Sequence, residues 1–364
     1  MAGVTASATV RTIELDENSD IKEILRNDTL TLDSLKVKGY MSHKNLETVT
    51  WMTNRKLEYI DFKDCHFENN SIPKEGLNPT PYQASKEDYK YLTKLKCVLL
   101  PESLDRMEAW ALCGCIRLER LELPKQMSYI GPLALSGLFN LKSIDVPEGI
   151  TSIEMSCINN NRTMESVTLP STLKTVKEYG LAGLTSLKKM YFNEGLESLG
   201  ERACDGWLNC TEIVLPSTIK ELGSEAIGSL GENCKLYIKA AVPPVVAADA
   251  LGVRNEEKTL YVPVGAKAAY EAAPVWKDFK EIVEVSQFPS AGVEAVLSDG
   301  AADVRVYGTE GAAVIDGDGV GYAVYSADGL QVATGIADGK TEISLPSGLY
   351  IVLTGCRATK IAVK

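Results

Sequence analysis

Histidine is nearly absent from this chain. Its 364 residues hold two, His43 and His66, both near the start. Imidazole is the commonest general acid or base and a frequent metal ligand, so the inventory for catalysis is thin. Cys65 and His66 are adjacent, and in a strand their side chains point to opposite faces. They form no dyad. No P-loop, GxSxG elbow or HExxH occurs, and the carboxylates are scattered, so we expect no enzyme, cofactor or metal. There is no run of 18 apolar residues, which excludes a membrane-spanning helix. Basic runs are short and the net charge is −11 with a pI near 5.0, which argues against a nucleic-acid backbone as partner. Met1-Ala2-Gly3-Val4 leads straight into polar sequence without the charged start and apolar core of a secretory signal. Two readings stay open there, a cytosolic protein and a mature form with an added methionine.

What is present is a repeat. Pro101, Pro124, Pro147, Pro170, Asn193 and Pro216 are spaced 23 residues apart, another 23 lead to Lys239, and 24 more to Pro263. The columns are apolar in register. Three after the anchor stand Leu104, Met127, Ile150, Leu173, Leu196 and Ile219; six after stand Met107, Ile130, Ile153, Val176, Leu199 and Leu222. A column of small residues holds Ala111, Ala134, Cys157, Gly180, Ala203 and Ala226. The pairs Leu121/Leu123, Ile144/Val146, Val167/Leu169, Met190/Phe192, Ile213/Leu215 and Leu236/Ile238 precede each following anchor. Their alternation predicts a short strand with one buried face, ended by a proline that lacks a ladder donor. No single 23-residue coil buries its own apolar stripe, so the coils must stack into a solenoid with one parallel sheet along a curved face.

The pattern LxxLxLPxxLxxIxxxALxxC, as in LERLELPKQMSYIGPLALSGL, resembles the BspA-like (treponemal-type) leucine-rich repeat. The likeness covers roughly residues 95–285 and extends loosely to 28–67. It implies a right-handed leucine-rich-repeat array, mainly β and irregular. It also implies a secreted or surface protein of a host-associated anaerobe, often an adhesin. In the closing segment Tyr270, Trp276, Phe279 and Ile282 are expected to cover the last coil.

Three regions follow: 1–94, an amino-terminal cap with irregular first repeats and an insert; 95–285, the capped array; and 286–364, a tail module. Within the first, residues 68–94 break the pattern and read as an irregular coil with a surface loop carrying Tyr82, Tyr89 and Tyr91. In the tail, alternating runs separated by Asp-Gly turns predict a small antiparallel β-sandwich. Its ending, LPSGLYIV…KIAVK, resembles type IX secretion sorting domains, with Gly348, Tyr350 and Lys364 in place. Asp316-Gly-Asp318-Gly319 lacks the acidic ligands of an EF-hand and reads as a hairpin turn.

The nine cysteines are read mostly as small core residues. Cys115, Cys157, Cys204 and Cys210 fall in apolar or small columns, whereas Cys97 and Cys113 are open to pairing. On the sheet face, outward columns run Arg120, Ser143, Ser166, Lys189, Glu212, Lys235 and Glu122, Asp145, Thr168, Tyr191, Val214, Tyr237. Lys189, Tyr191, Lys235 and Tyr237 make the candidate binding patch for a protein or glycan, set against the plain reading that Tyr simply favours strands. The expected function is extracellular recognition or adhesion. The alternative is a non-catalytic spacer or anchored component of the cell envelope.

Overall fold

The computed structural model describes residues 10–78, 93–231, 233–252, 257–289, 305–317, 320–326, 331–337, 339–354 and 357–364. The chain divides into two compact units, Met1–Gly292 and Val293–Lys364.

In the first unit each 23-residue step is one coil. The strand before each anchor forms where expected: Cys97–Leu99, Arg120–Leu121, Ser143–Asp145, Ser166–Thr168, Lys189–Tyr191, Glu212–Leu215, Lys235–Ile238 and Thr259–Pro263. Pairing is parallel and in repeat register, so Lys189 faces Glu212, which faces Lys235. The ladder breaks between Arg120–Leu121 and Ser143–Asp145 and between Ser166–Thr168 and Lys189–Tyr191, so the line holds three sheets rather than the one expected. Leu121, Ile144, Met190, Ile213, Leu236 and Leu260 are buried beneath. Val10–Leu15, Ser34–Met41 and Tyr59–Phe67 add three parallel strands beside Cys97–Leu99. The helix His43–Thr53 packs among them, its first turn capped by Ser42, whose hydroxyl accepts from the Asn45 N–H.

The sequence reading missed a second line of parallel strands. Ser71–Ile72, Arg106–Met107 and Tyr129–Ile130 form one sheet; Ser152–Ile153, Thr175–Val176, Ser198–Leu199, Glu221–Leu222 and Val245–Val246 form another. Each strand is two residues long, too short for an alternation to register, and only its apolar member stood out as a column.

Between the two lines the chain turns through left-handed backbone. Trp110, Leu133, Ser156, Tyr179, Arg202 and Glu225, nine residues after their anchors, all have φ between 47° and 65°. Side chains resist this region by about 1–2 kcal/mol each. It persists because a third ladder holds it: the N–H of Leu133 donates to Met155, that of Ser156 to Glu178 and that of Tyr179 to Glu201, one coil on. Four residues later the chain turns left-handed again, now mostly with glycine, at Gly114, Gly137, Gly183 and Gly206.

The core is a single column of buried side chains. Its small positions, such as Ala134 and Ala203, are fully enclosed. Asn161 is buried where other coils place Leu138 and Leu184, and it is fully satisfied. It accepts from the Leu138 N–H at 2.6 Å and donates to Leu135 and Ile158 carbonyls at 2.9 and 3.1 Å. At the far end the helix Lys267–Ala272 buries Tyr270 against Trp276, ring centroids 5.4 Å apart and edge to face. Tyr270 donates to the Ala240 carbonyl at 2.8 Å and Trp276 to that of Pro244 at 3.1 Å. Phe279 and Ile282 are buried with them, the arrangement the sequence led us to expect.

The second unit has two antiparallel sheets. One joins Arg305–Gly308, Ala312–Asp316 and Lys340–Ser344; the other orders Gln331–Ala337, Val320–Ser326, Gly348–Thr354 and Arg357–Val363. Ala313, Ile315, Val324, Val352 and Ile361 form its core, and Tyr350 donates to the Pro346 carbonyl at 2.9 Å. The Asp318-Gly319 turn, Cys356 and Tyr82, Tyr89 and Tyr91 lie outside the described residues.

Candidate sheet-face binding site

The register fixes two outward rows on the late coils. One is Lys189, Glu212, Lys235, Thr259 and Glu281; the other is Tyr191, Val214, Tyr237, Tyr261 and Val283. Strands in a sheet lie about 4.8 Å apart, so each row is a ladder of close neighbours. All four sequence-selected residues stand in these rows.

Their surroundings differ. The Lys189 side chain is 56% exposed and its Nζ lies 4.0 Å from the Glu212 carboxylate. The Tyr191 hydroxyl donates to Glu212 Oε1, so Glu212 ties the first lysine and the first tyrosine together. Lys235 is exposed and makes no ion pair among the described residues. Tyr237 is buried, with its ring stacked on Tyr261 at 4.4 Å and 19°. Burial, then the nearby Tyr261 and Glu212, push its phenol above the ordinary range. One face of the Tyr237 ring is therefore taken, and the half-buried Tyr261 is the more accessible aromatic.

Tyr261 and Glu212 stand in the same rows as the candidate residues although sequence reasoning did not select them. The 24-residue step to Pro263 moves Tyr261 off the 23-residue column. The LYVP before that anchor was the available signal. Glu212 stood in the outward column, but its bridging bonds are visible only in three dimensions.

The second line of strands offers a contrast. There Arg106 lies over the Tyr129 ring at 4.3 Å, Lys177 pairs with Glu154 at 2.8 Å, and Arg202 bonds both Glu225 and Tyr179. Those charges are matched within the protein, which leaves less for a partner to satisfy.

A model of the BspA type leucine-rich repeat region matches in six copies, over 17–136, 55–180 and 106–235, more than half the chain. The chain belongs to the BspA-type leucine-rich-repeat family. Solved structures of similar proteins are distant in sequence. A leucine-rich repeat protein from Bacteroides ovatus is 17% identical with a TM-score of 0.46, over 70% of this chain and 61% of that one. This chain thus spans less than two thirds of that relative. The pneumococcal vaccine antigen PcpA is 15% identical with a TM-score of 0.38, over 70% and 80%. A leucine rich cell surface protein from Faecalibacterium prausnitzii is 15% identical with a TM-score of 0.29, over 72% and 85%. No curated protein matches the chain.

Elsewhere in this BspA-type chain, the residues of classical chemistry are dispersed. Among the described residues no three His, Cys, Asp or Glu side chains gather as a metal site, and no helix is long and apolar enough to cross a membrane. Cys65 is buried while His66 is exposed, on opposite faces of their strand. Seven cysteines carry free, buried thiols: Cys65, Cys113, Cys115, Cys157, Cys204, Cys210 and Cys234. Cys113 is thus unpaired. Burial pushes the Cys65 and Cys113 thiols up to about 12, so they stay protonated.

Proposed function

We propose that this protein recognises a ligand outside the cell or at its surface through the late coils of the sheet face. The residues are Lys189, Tyr191, Lys235 and Tyr237, joined by Glu212 and Tyr261. The observation that carries the reading is Lys235. It stands exposed, without an ion pair among the described residues, beside a stacked tyrosine pair. Basic and aromatic groups together are the usual anchors of an interface, and family membership favours binding over chemistry. The ligand class is a protein or glycan. The carboxy-terminal module, with Gly348, Tyr350 and Lys364, is read as a sorting or anchoring domain that accompanies an outward destination.

The test is saturable binding of the full chain to arrays of glycans, mucins and matrix proteins. Lys235→Ala, at an exposed side chain, and Tyr261→Ala, at a half-buried one, should weaken capture at least tenfold. Binding untouched by both places the site elsewhere. If nothing on the panel binds and the protein only co-fractionates with envelopes, the spacer reading replaces recognition.

A further inference from the structure

One core position, seventeen residues after the anchor, is filled by Leu118, Leu141, Met164 and Leu187 in successive coils. Each closes the same turn, its N–H donating to the carbonyl three residues before, at 3.0–3.2 Å. The next two coils close that turn with Cys210, bonded to Trp207 at 3.0 Å, and Cys234, bonded to Gly231 at 3.0 Å. Cys234 comes one step later in its coil but is likewise buried. Stacked coils set the two thiols close enough for each to perturb the other. The two cysteines lead into the neighbouring strands Glu212–Leu215 and Lys235–Ile238, which pair Glu212 with Lys235. A spacing of about 4.8 Å plus one residue of stagger keeps the two within the 4.4–6.8 Å between Cα atoms that a disulfide spans. No other described pair of free cysteines fills one core position in consecutive coils.

We propose that Cys210 and Cys234 are a redox-active dithiol, which a low-molecular-weight disulfide such as cystine or oxidised glutathione converts to a disulfide linking two coils. The Cys210 thiolate attacks one sulfur of the reagent, the reagent's S–S bond breaks, and half of it leaves as a thiol. Cys234 then loses its proton and attacks the Cys210 sulfur of the mixed disulfide, and the other half leaves as a second thiol. The balance is one protein disulfide and two small thiols, with two electrons passing to the reagent. Proximity to Cys234 lowers the Cys210 thiol while Cys234 is raised, and the thiolate is the attacking species. Cys210 also donates to the Glu212 carbonyl at 3.4 Å, so the link forms directly beneath the row that presents Glu212 and Lys235.

Oxidised glutathione is added to the intact reduced protein, remaining thiols are alkylated after rapid denaturation, and peptides are mapped without reduction. The expected product joins the Cys210 and Cys234 peptides, and Tm rises by roughly 5–10 °C, as closure of a loop this size implies. Cys210→Ala and Cys234→Ala each abolish the link, whereas Cys204→Ala leaves it. Because alanine in the core itself lowers Tm, the peptide map on the wild-type protein decides. A linked peptide built from other cysteines, glutathione retained on Cys210 alone, or no link at all overturns the proposal.

Discussion

The Glu148 carboxylate accepts both the backbone N–H of Ser171, at 3.0 and 3.1 Å, and its hydroxyl, at 2.9 Å, one coil further on. Glu194 repeats the contact on Ser217. Beside each, Thr172 and Thr218 accept from Gly149 and Gly195. The PEG and NEG starts of two coils are thus locked to the PST starts of the next, so these four coils join as two pairs.

A pH dependence follows. Hydrogen bonds from the Ser171 backbone and hydroxyl hold the Glu148 carboxyl below its ordinary value, and Lys220 does the same to Glu197. A carboxylate lowered in the folded state contributes stability above its unfolded value, near 4.5 here, and that contribution is lost as pH falls through the folded value. Thermal melts should show Tm dropping in that acidic range. Glu148→Gln should lower Tm at neutral pH and flatten the acid slope; an unchanged slope would mean the bond carries no linkage.

Asn161 offers a second test. Asn161→Ala strands the Leu138 N–H and two carbonyl partners inside the array. Chemical denaturation should report a loss of about 2–4 kcal/mol, more than a surface asparagine in the same coil would show.

The left-handed turns can be separated from packing. A Cβ on Gly137, at φ +73°, meets nothing closer than 3.7 Å. Gly137→Ala should therefore cost about 1–2 kcal/mol from backbone conformation alone. Ser156→Gly, at φ 53°, relieves the same strain and should be neutral or stabilising despite glycine's entropy. At Gly252 a Cβ would sit 1.9 Å from the Gly228 carbonyl oxygen, so Gly252→Ala should cost more than either.

Removing the Tyr261 ring takes away a stacking partner worth about 0.5–1.5 kcal/mol and uncovers Tyr237. Tyr261→Ala should lower Tm modestly and let the Tyr237 phenol ionise at a lower pH, followed by its ultraviolet absorbance. A phenol that titrates as before would show that Tyr261 does not shield it.

The repeat, its core columns, the strand before each anchor and the aromatic cap were legible in the sequence because each rests on apolar periodicity. The second line of strands was not, since two residues carry no period. Nor were the left-handed positions at Leu133 or Tyr179, because nothing in those side chains favours such backbone; the ladder imposes it from outside. At the site, the rows were readable but not their state. Sequence placed Tyr237 on the surface as a stacking platform, whereas its partner on the next strand, Tyr261, has already stacked on it. The alternation of PEG and PST was in plain view, and needed only the knowledge that consecutive anchors touch.

The aromatic lid made by Tyr270 and Trp276 grips the final coil alone, through Ala240 and Pro244. Nothing in it measures how many coils came before. Inserting one coil in the middle leaves both terminations intact and lengthens the presented surface by one strand spacing, about 4.8 Å. Reach is therefore a heritable quantity that changes in equal steps, by duplication within the gene, without redesign of either end. A chain built this way can be tuned like a vernier to the spacing of whatever it spans.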